Sequence, residues 1–273
     1  WGCLKGWLGV VQLLLSRGAD VNAANSLGKT PLIAAAISGS LPVVKLLVQS
    51  GAGINARSKG GLRALDYAFR LGRGEVAQFL LEKGAEVVPG GNVLNDALHE
   101  ASRCNLKDLG KWLLEQGADV NSRDGKYGNT PLFWASYRGH REFVAMLLRE
   151  GSLVNATNKF GNTSLFWASR AGRADLVTLL LAAGSDINAT DRDGKTALMV
   201  GASAGKLEVV KLLLRAGANI NLKNKFGWTA LMEAYFEGHA EVAAYLKGVG
   251  ARLNGFLKSS SWTGGLRSAT WSR

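Results

Sequence analysis

Catalysis needs a nucleophile, a poised acid or base, or a metal, brought together by the fold. The 273-residue chain has three histidines, His99, His140 and His239, and two cysteines, Cys3 and Cys104. Their spacing matches no metal-ligand pattern. The carboxylates Asp191 and Asp193 sit in a turn, without a partner to raise a pKa. Gly60-Gly61 and Pro89-Gly90-Gly91 have neither the order nor the lysine of a phosphate loop. No catalytic residue, no metal and no cofactor is expected. What does recur is a cation beside a ring: Lys126-Tyr127, Lys159-Phe160 and Lys225-Phe226. Arginines recur as well, at Arg70, Arg103, Arg138 and Arg170. Guanidinium groups pair carboxylates or phosphates, bidentately where geometry allows. Exposed rings become buried anchors when a partner covers them. The chemistry these residues suit is recognition.

Their spacing follows an internal repeat, the first thing to seek because missing one mis-assigns the whole fold. Lys126-Tyr127-Gly128-Asn129-Thr130-Pro131-Leu132 is echoed by Lys159-Phe160-Gly161-Asn162-Thr163-Ser164-Leu165 and by Arg192-Asp193-Gly194-Lys195-Thr196-Ala197-Leu198. A glycine closes each copy, at 18, 51, 84, 117, 151, 184, 217 and 250. The steps are 33 residues, with one of 34, whose extra residue lies within Ser122–Tyr127. A period of about 33, a turn, a Thr-Pro-Leu opening and two short helices resemble the ankyrin repeat. The resemblance covers roughly residues 1 to 251. It implies an all-α, ankyrin-repeat solenoid of stacked helix-turn-helix units with β-hairpin-like fingers. It also gives His99 the place of a structural histidine.

One copy explains the pattern. Thr130 is a good N-cap and Pro131 suits the first helical position. Leu132 and Ala135 share a face of that helix. Gly139 can end it in the left-handed region, and Asn105 can do the same in its own copy. A second helix over roughly 141 to 149 places Phe143, Val144, Leu147 and Leu148 at helical spacing. Helices this short are marginal alone, so each copy must bury its apolar face on its neighbours. The expected copies span about 1–22, 25–55, 58–87, 88–121, 124–155, 158–188, 191–221 and 224–251.

Some copies depart from the rule. Arg63 stands where threonine should cap, and arginine cannot accept a hydrogen bond. Val88-Pro89-Gly90-Gly91 replaces a regular finger, Leu94 replaces a turn glycine, and Asp96 is the expected cap of the fourth copy. Residues 58–111 are therefore expected to be the softest part. Trp1, Trp134 and Trp167 share a register with Tyr67 and are expected as inter-repeat filler with an N–H near the surface. Trp1 begins inside a helix, which reads as a fragment. Residues 252–273 carry four basic residues and no acid, and read as a disordered basic tail or a partial cap over the last helices.

The formal charge is +12. No apolar run is long enough to span a membrane, and the two cysteines lie three copies apart, beyond disulfide reach. A reduced intracellular setting, cytoplasm or nucleus, is expected. In the family, finger tips and the residues before the mid-repeat glycine form the binding face. Here those positions hold Lys5, Lys29, Lys59, Lys126, Lys159, Arg192, Lys195, Lys225 and the four arginines, against only Asp193 and Glu237. Tyr127, Tyr137, Phe160, Phe226, Trp228 and Phe236 join them. The expectation is a non-catalytic scaffold, monomeric or part of a larger chain, gripping an acidic and partly apolar protein segment on a basic, aromatic concave face. Two alternatives remain. Rings alternating with cations also suit single-stranded nucleic acid or an oligonucleotide, and the array could regulate a larger enzyme or channel.

Overall fold

The computed structural model describes residues 2–86 and 93–251. The expected roles of Trp1, of Val88-Pro89-Gly90-Gly91 and of residues 252–273 lie outside the described residues. The chain divides into two compact units, Trp1–Ser122 and Arg123–Arg273. The boundary falls at the segment that carries the repeat's extra residue.

In the first unit the helices are α1 (Gly2–Lys5), α2 (Leu8–Ser16), α3 (Pro31–Ser38), α4 (Leu41–Gln49), α5 (Ala64–Arg70), α6 (Gly74–Glu82), α7 (Val93–Cys104) and α8 (Lys107–Glu115). In the second they are α9 (Pro131–Arg138), α10 (Arg141–Arg149), α11 (Ser164–Arg170), α12 (Ala174–Ala182), α13 (Ala197–Ser203), α14 (Leu207–Arg215), α15 (Ala230–Phe236) and α16 (Ala240–Gly248). Each odd-numbered helix packs on the even one that follows it. The odd helices also stack on one another, α1 to α7 in the first unit and α9 to α15 in the second. The fold class is all-α, as expected. No named strand occurs among the described residues, and the fingers are tight turns with one isolated antiparallel bridge, Thr190 to Thr196.

Local chemistry sets these boundaries. Thr30, Thr130, Thr163, Thr196 and Thr229 each accept the backbone N–H three residues on. Such a cap contributes about 1 kcal/mol. Gly139 ends α9 at φ 90°, and Asn105 takes φ 59° in the equivalent place. Within a copy, Leu132, Ala135, Phe143, Val144 and Leu147 are at most 1 % exposed. They form the inter-helix core that a helix of eight or nine residues needs to exist at all.

Two expected departures resolve differently from the sequence reading. Asp96 does not cap: α7 begins at Val93, so Asp96 lies inside its first turn. Starting the helix early also buries Leu94. It carries Asn95 to a place where its Oδ1 accepts the Asp119 N–H at 2.8 Å. Elsewhere finger asparagines make this bond: Asn22 to Gly53, Asn55 to Glu86, Asn155 to Asp186 and Asn188 to Asn219. A helical asparagine thus replaces a missing finger one. Arg63 makes no cap, yet its backbone N–H donates to Asp66 Oδ2 at 2.8 Å, while its guanidinium, 3 % exposed, donates to Glu86 O and pairs with the Glu86 carboxylate at 3.1 Å. The residue that spoils the cap clamps the following finger.

Candidate functional site

The site is built on two consecutive finger tips of the second unit and the helices below them. Each tip is shaped by a short polar side chain that accepts two backbone N–H groups, the Asx-turn chemistry. Asn158 Oδ1 accepts from Phe160 and Asn162, Asp191 Oδ1 from Asp193 and Lys195, and Asn224 Oδ1 from Phe226 and Trp228. The tip with the extra residue uses Asp124, whose Oδ1 accepts from Tyr127 and Asn129 and whose Oδ2 accepts the Trp134 indole N–H at 3.0 Å. Burial would raise the Asp124 pKa, but these donors outweigh it and hold the carboxyl below its usual range. The Lys159 N–H donates to Tyr127 O at 2.9 Å and that of Arg192 to Phe160 O at 2.9 Å, so successive tips are locked side by side.

Side-by-side tips put rings next to rings. Tyr127 and Phe160 lie 6.1 Å apart, 36 % and 51 % exposed. With Asn129, Asn158, Phe133, Trp134, Tyr137 and Trp167 they line an aromatic cleft of about 300 Å³. Tyr137 stands edge-on to Trp167, with centroids 5.2 Å apart. These same two rings wall a second cleft of about 570 Å³, completed by Arg138, Arg170, Ala171 and Arg173. The Arg170 guanidinium sits 5.1 Å from the Trp167 ring and that of Arg138 6.0 Å from the Tyr137 ring. Lys126 caps the Tyr127 ring at 4.7 Å.

The expected residues therefore divide. Tyr127, Tyr137, Arg138, Phe160 and Arg170 line the adjoining clefts, with Lys126 above them. Lys159 is exposed, but its ammonium is tied to Gly125 O and Lys126 O. Arg192 is exposed on the next tip. Lys195 instead pairs at 2.8 Å with Glu233, a carboxylate buried to 2 % exposure that also accepts from Asn224. That pairing is structural. Lys225 is exposed and Phe226 is 70 % exposed, while Trp228 packs on Phe236 at 4.8 Å, away from the clefts. Arg70 and Arg103 belong to the first unit, where Arg103 pairs with Glu100 at 3.1 Å.

Two readings need correction. Trp134 and Trp167 fill space between helices, as expected, but they also wall a cleft. The expectation of an indole N–H near the surface fails for Trp167, whose N–H is buried with no hydrogen bond among the described residues, while that of Trp134 donates to Asp124. Asp191 is not an unperturbed turn carboxylate: burial pushes it up, and Asp193 adds to that against its two backbone donors and Lys195. The sequence reading also missed Arg173, although Arg73 occupies its register one unit earlier and offered the signal. Asn129, Asn158 and Phe133 were missed because their roles depend on the neighbouring copy.

No group of three or more His, Cys, Asp or Glu side chains could hold a metal among the described residues. No helix among them is long and apolar enough to cross a membrane. His99 is buried with its Nε2 3.3 Å from Ser122 Oγ, and His239 Nε2 lies 3.0 Å from Ser203 O, so both have partners within the fold.

The family model for ankyrin repeats matches residues 2–89, 98–191 and 165–255. A search of curated proteins finds no significant match. With matching segments along most of its length and the helix pairs to go with them, the chain belongs to the ankyrin-repeat family, whose repeats generally mediate protein–protein interaction and are typically non-catalytic.

Proposed function

We propose that this chain is a protein-binding module and that its anchor site is the aromatic cleft between the tips at Tyr127 and Phe160, with the arginine cleft beside it. The partner is an extended acidic segment carrying at least one large apolar side chain. The carrying observation is the exposure of paired rings on hydrogen-bonded tips, where no core of the chain's own needs them. Large rings at low conformational cost are the usual centres of binding energy, and a pre-formed site spares the ordering cost of association. The cations around the cleft disfavour a cationic ligand and favour acid. Arg192, Lys225 and Phe226 extend this surface along the later tips, Trp228 and Phe236 add a separate ring pair, and Arg70 and Arg103 offer separate contacts in the first unit.

The test begins with partners captured at low and high salt. Titration calorimetry of the best partner against Tyr127→Ala/Phe160→Ala should show affinity falling by tenfold or more, about 1.4 kcal/mol or above. Lys225→Ala should change it by less than threefold. Equal losses from both variants would refute an anchor at these rings.

A further inference from the structure

The arginine cleft differs from the ion-paired basic positions of the second unit. Arg141 pairs with Asp175 at 3.9 Å, and Lys195 pairs with Glu233. Arg138, Arg170 and Arg173 line a single cleft, and none of the three makes an ion pair among the described residues. Two of them are braced on rings, and Arg173 packs against Gly139, where an added Cβ would lie 2.8 Å from its Nε. All three are exposed, so solvent screens their mutual repulsion, and the cleft stands open to an anion that would neutralise them together. A single carboxylate would leave most of that charge uncompensated. A phosphate monoester carries nearly two negative charges near neutral pH and three acceptor oxygens, and so can engage several guanidinium forks at once.

We propose that the Arg138–Arg170–Arg173 cleft binds a phosphorylated side chain of the partner segment, next to the apolar residue that enters the aromatic cleft. This rests on the binding face proposed above and makes it conditional on modification of the partner. Tyr137 and Trp167 wall both clefts, so an apolar residue and a phosphorylated one close together in sequence would occupy them simultaneously. Phosphorylation of the partner then acts as the switch, creating charge-assisted hydrogen bonds that the unmodified segment lacks.

The test uses the full chain and a fluorescein-labelled peptide library with leucine or phenylalanine beside a fixed position. That position is phosphoserine, phosphotyrosine or glutamate. Fluorescence polarisation should show at least one phosphorylated version binding tenfold or more tighter than its glutamate counterpart. Arg170→Ala and Arg173→Ala should each remove most of that preference. Arg141→Ala should preserve it, and circular dichroism should show all three variants folded. Arg170→Lys should lose most of the preference too, because lysine has no fork. Glutamate and phosphorylated peptides binding alike would overturn the phosphate site while leaving an acidic-segment module intact. Binding by none of them would overturn both. A labelled single-stranded oligonucleotide of arbitrary sequence outcompeting every phosphopeptide at physiological salt would also overturn it, in favour of nucleic acid.

Discussion

The same substitution at two equivalent tip positions should have opposite signs. Asp124 and Asp191 each organise a finger tip by accepting two backbone N–H groups on Oδ1. Asparagine keeps that acceptor, as Asn158 and Asn224 demonstrate. The second side-chain atom decides the outcome. In Asp124→Asn an amide N–H₂ would confront the Trp134 indole N–H, which now donates to Oδ2 at 3.0 Å. A donor left facing a donor in a half-buried place costs about 1–2 kcal/mol. In the next tip, Asn158 Nδ2 donates to Asn129 Oδ1 at 2.9 Å, and Asn162 Oδ1, in the register of Asn129, is buried with no partner among the described residues. Asp191 has no donor to offer it. Asp191→Asn supplies one and removes a charge that burial disfavours, so it should stabilise by about 1 kcal/mol. Denaturant unfolding followed by tryptophan fluorescence at pH 7 measures both. The pH dependence carries its own sign. The Asp124 pKa is lowered by folding, so its contribution is present above the ordinary carboxylate range, near 3.9, and is lost as pH falls through the folded value. The Asp191 pKa is raised, so its ionisation costs stability as pH climbs through the folded value. The deficit of Asp124→Asn should therefore shrink as pH falls below the ordinary carboxylate range, and the advantage of Asp191→Asn should already shrink as pH falls toward that range from above. Two variants that move in the same direction at pH 7 would refute this account of the tips.

Two further outcomes follow from the packing. Lys195→Ala leaves the buried Glu233 carboxylate, among the described residues, with Asn224 as its one side-chain donor, and should destabilise by about 2–4 kcal/mol; adding Glu233→Gln should recover most of that loss, measured by the same unfolding curves. Gly161 and Gly151 both have positive φ, but an added Cβ at Gly161 would lie 2.9 Å from Arg192 N, whereas at Gly151 it meets nothing within 4 Å. Gly151→Ala should therefore cost about 1 kcal/mol, the conformational penalty alone, and Gly161→Ala clearly more, read as earlier hydrogen exchange of the Arg192 amide.

The repeat architecture was legible because it is written in local chemistry at a fixed period. Threonine caps, left-handed glycines and an apolar face at helical spacing each need only a few neighbouring residues, so Thr130, Gly139 and Leu147 announce their roles in one dimension. The exposed rings at Tyr127 and Phe160 were legible for the same reason, since a tip position has no core to fill. Tertiary structure decided what depends on the adjoining copy. Lys195 and Arg170 look alike in sequence, yet one is used up by a buried glutamate some forty residues away and the other lines an arginine cleft with no ion-pair partner among the described residues. Asp96 reads as a cap until an earlier helix start hands Asn95 the missing finger bond. The physical reason is common to these cases: propensity and capping act within a turn of helix, whereas the fate of a charge or an amide is set by whichever partner the stacking of repeats brings within 3 Å.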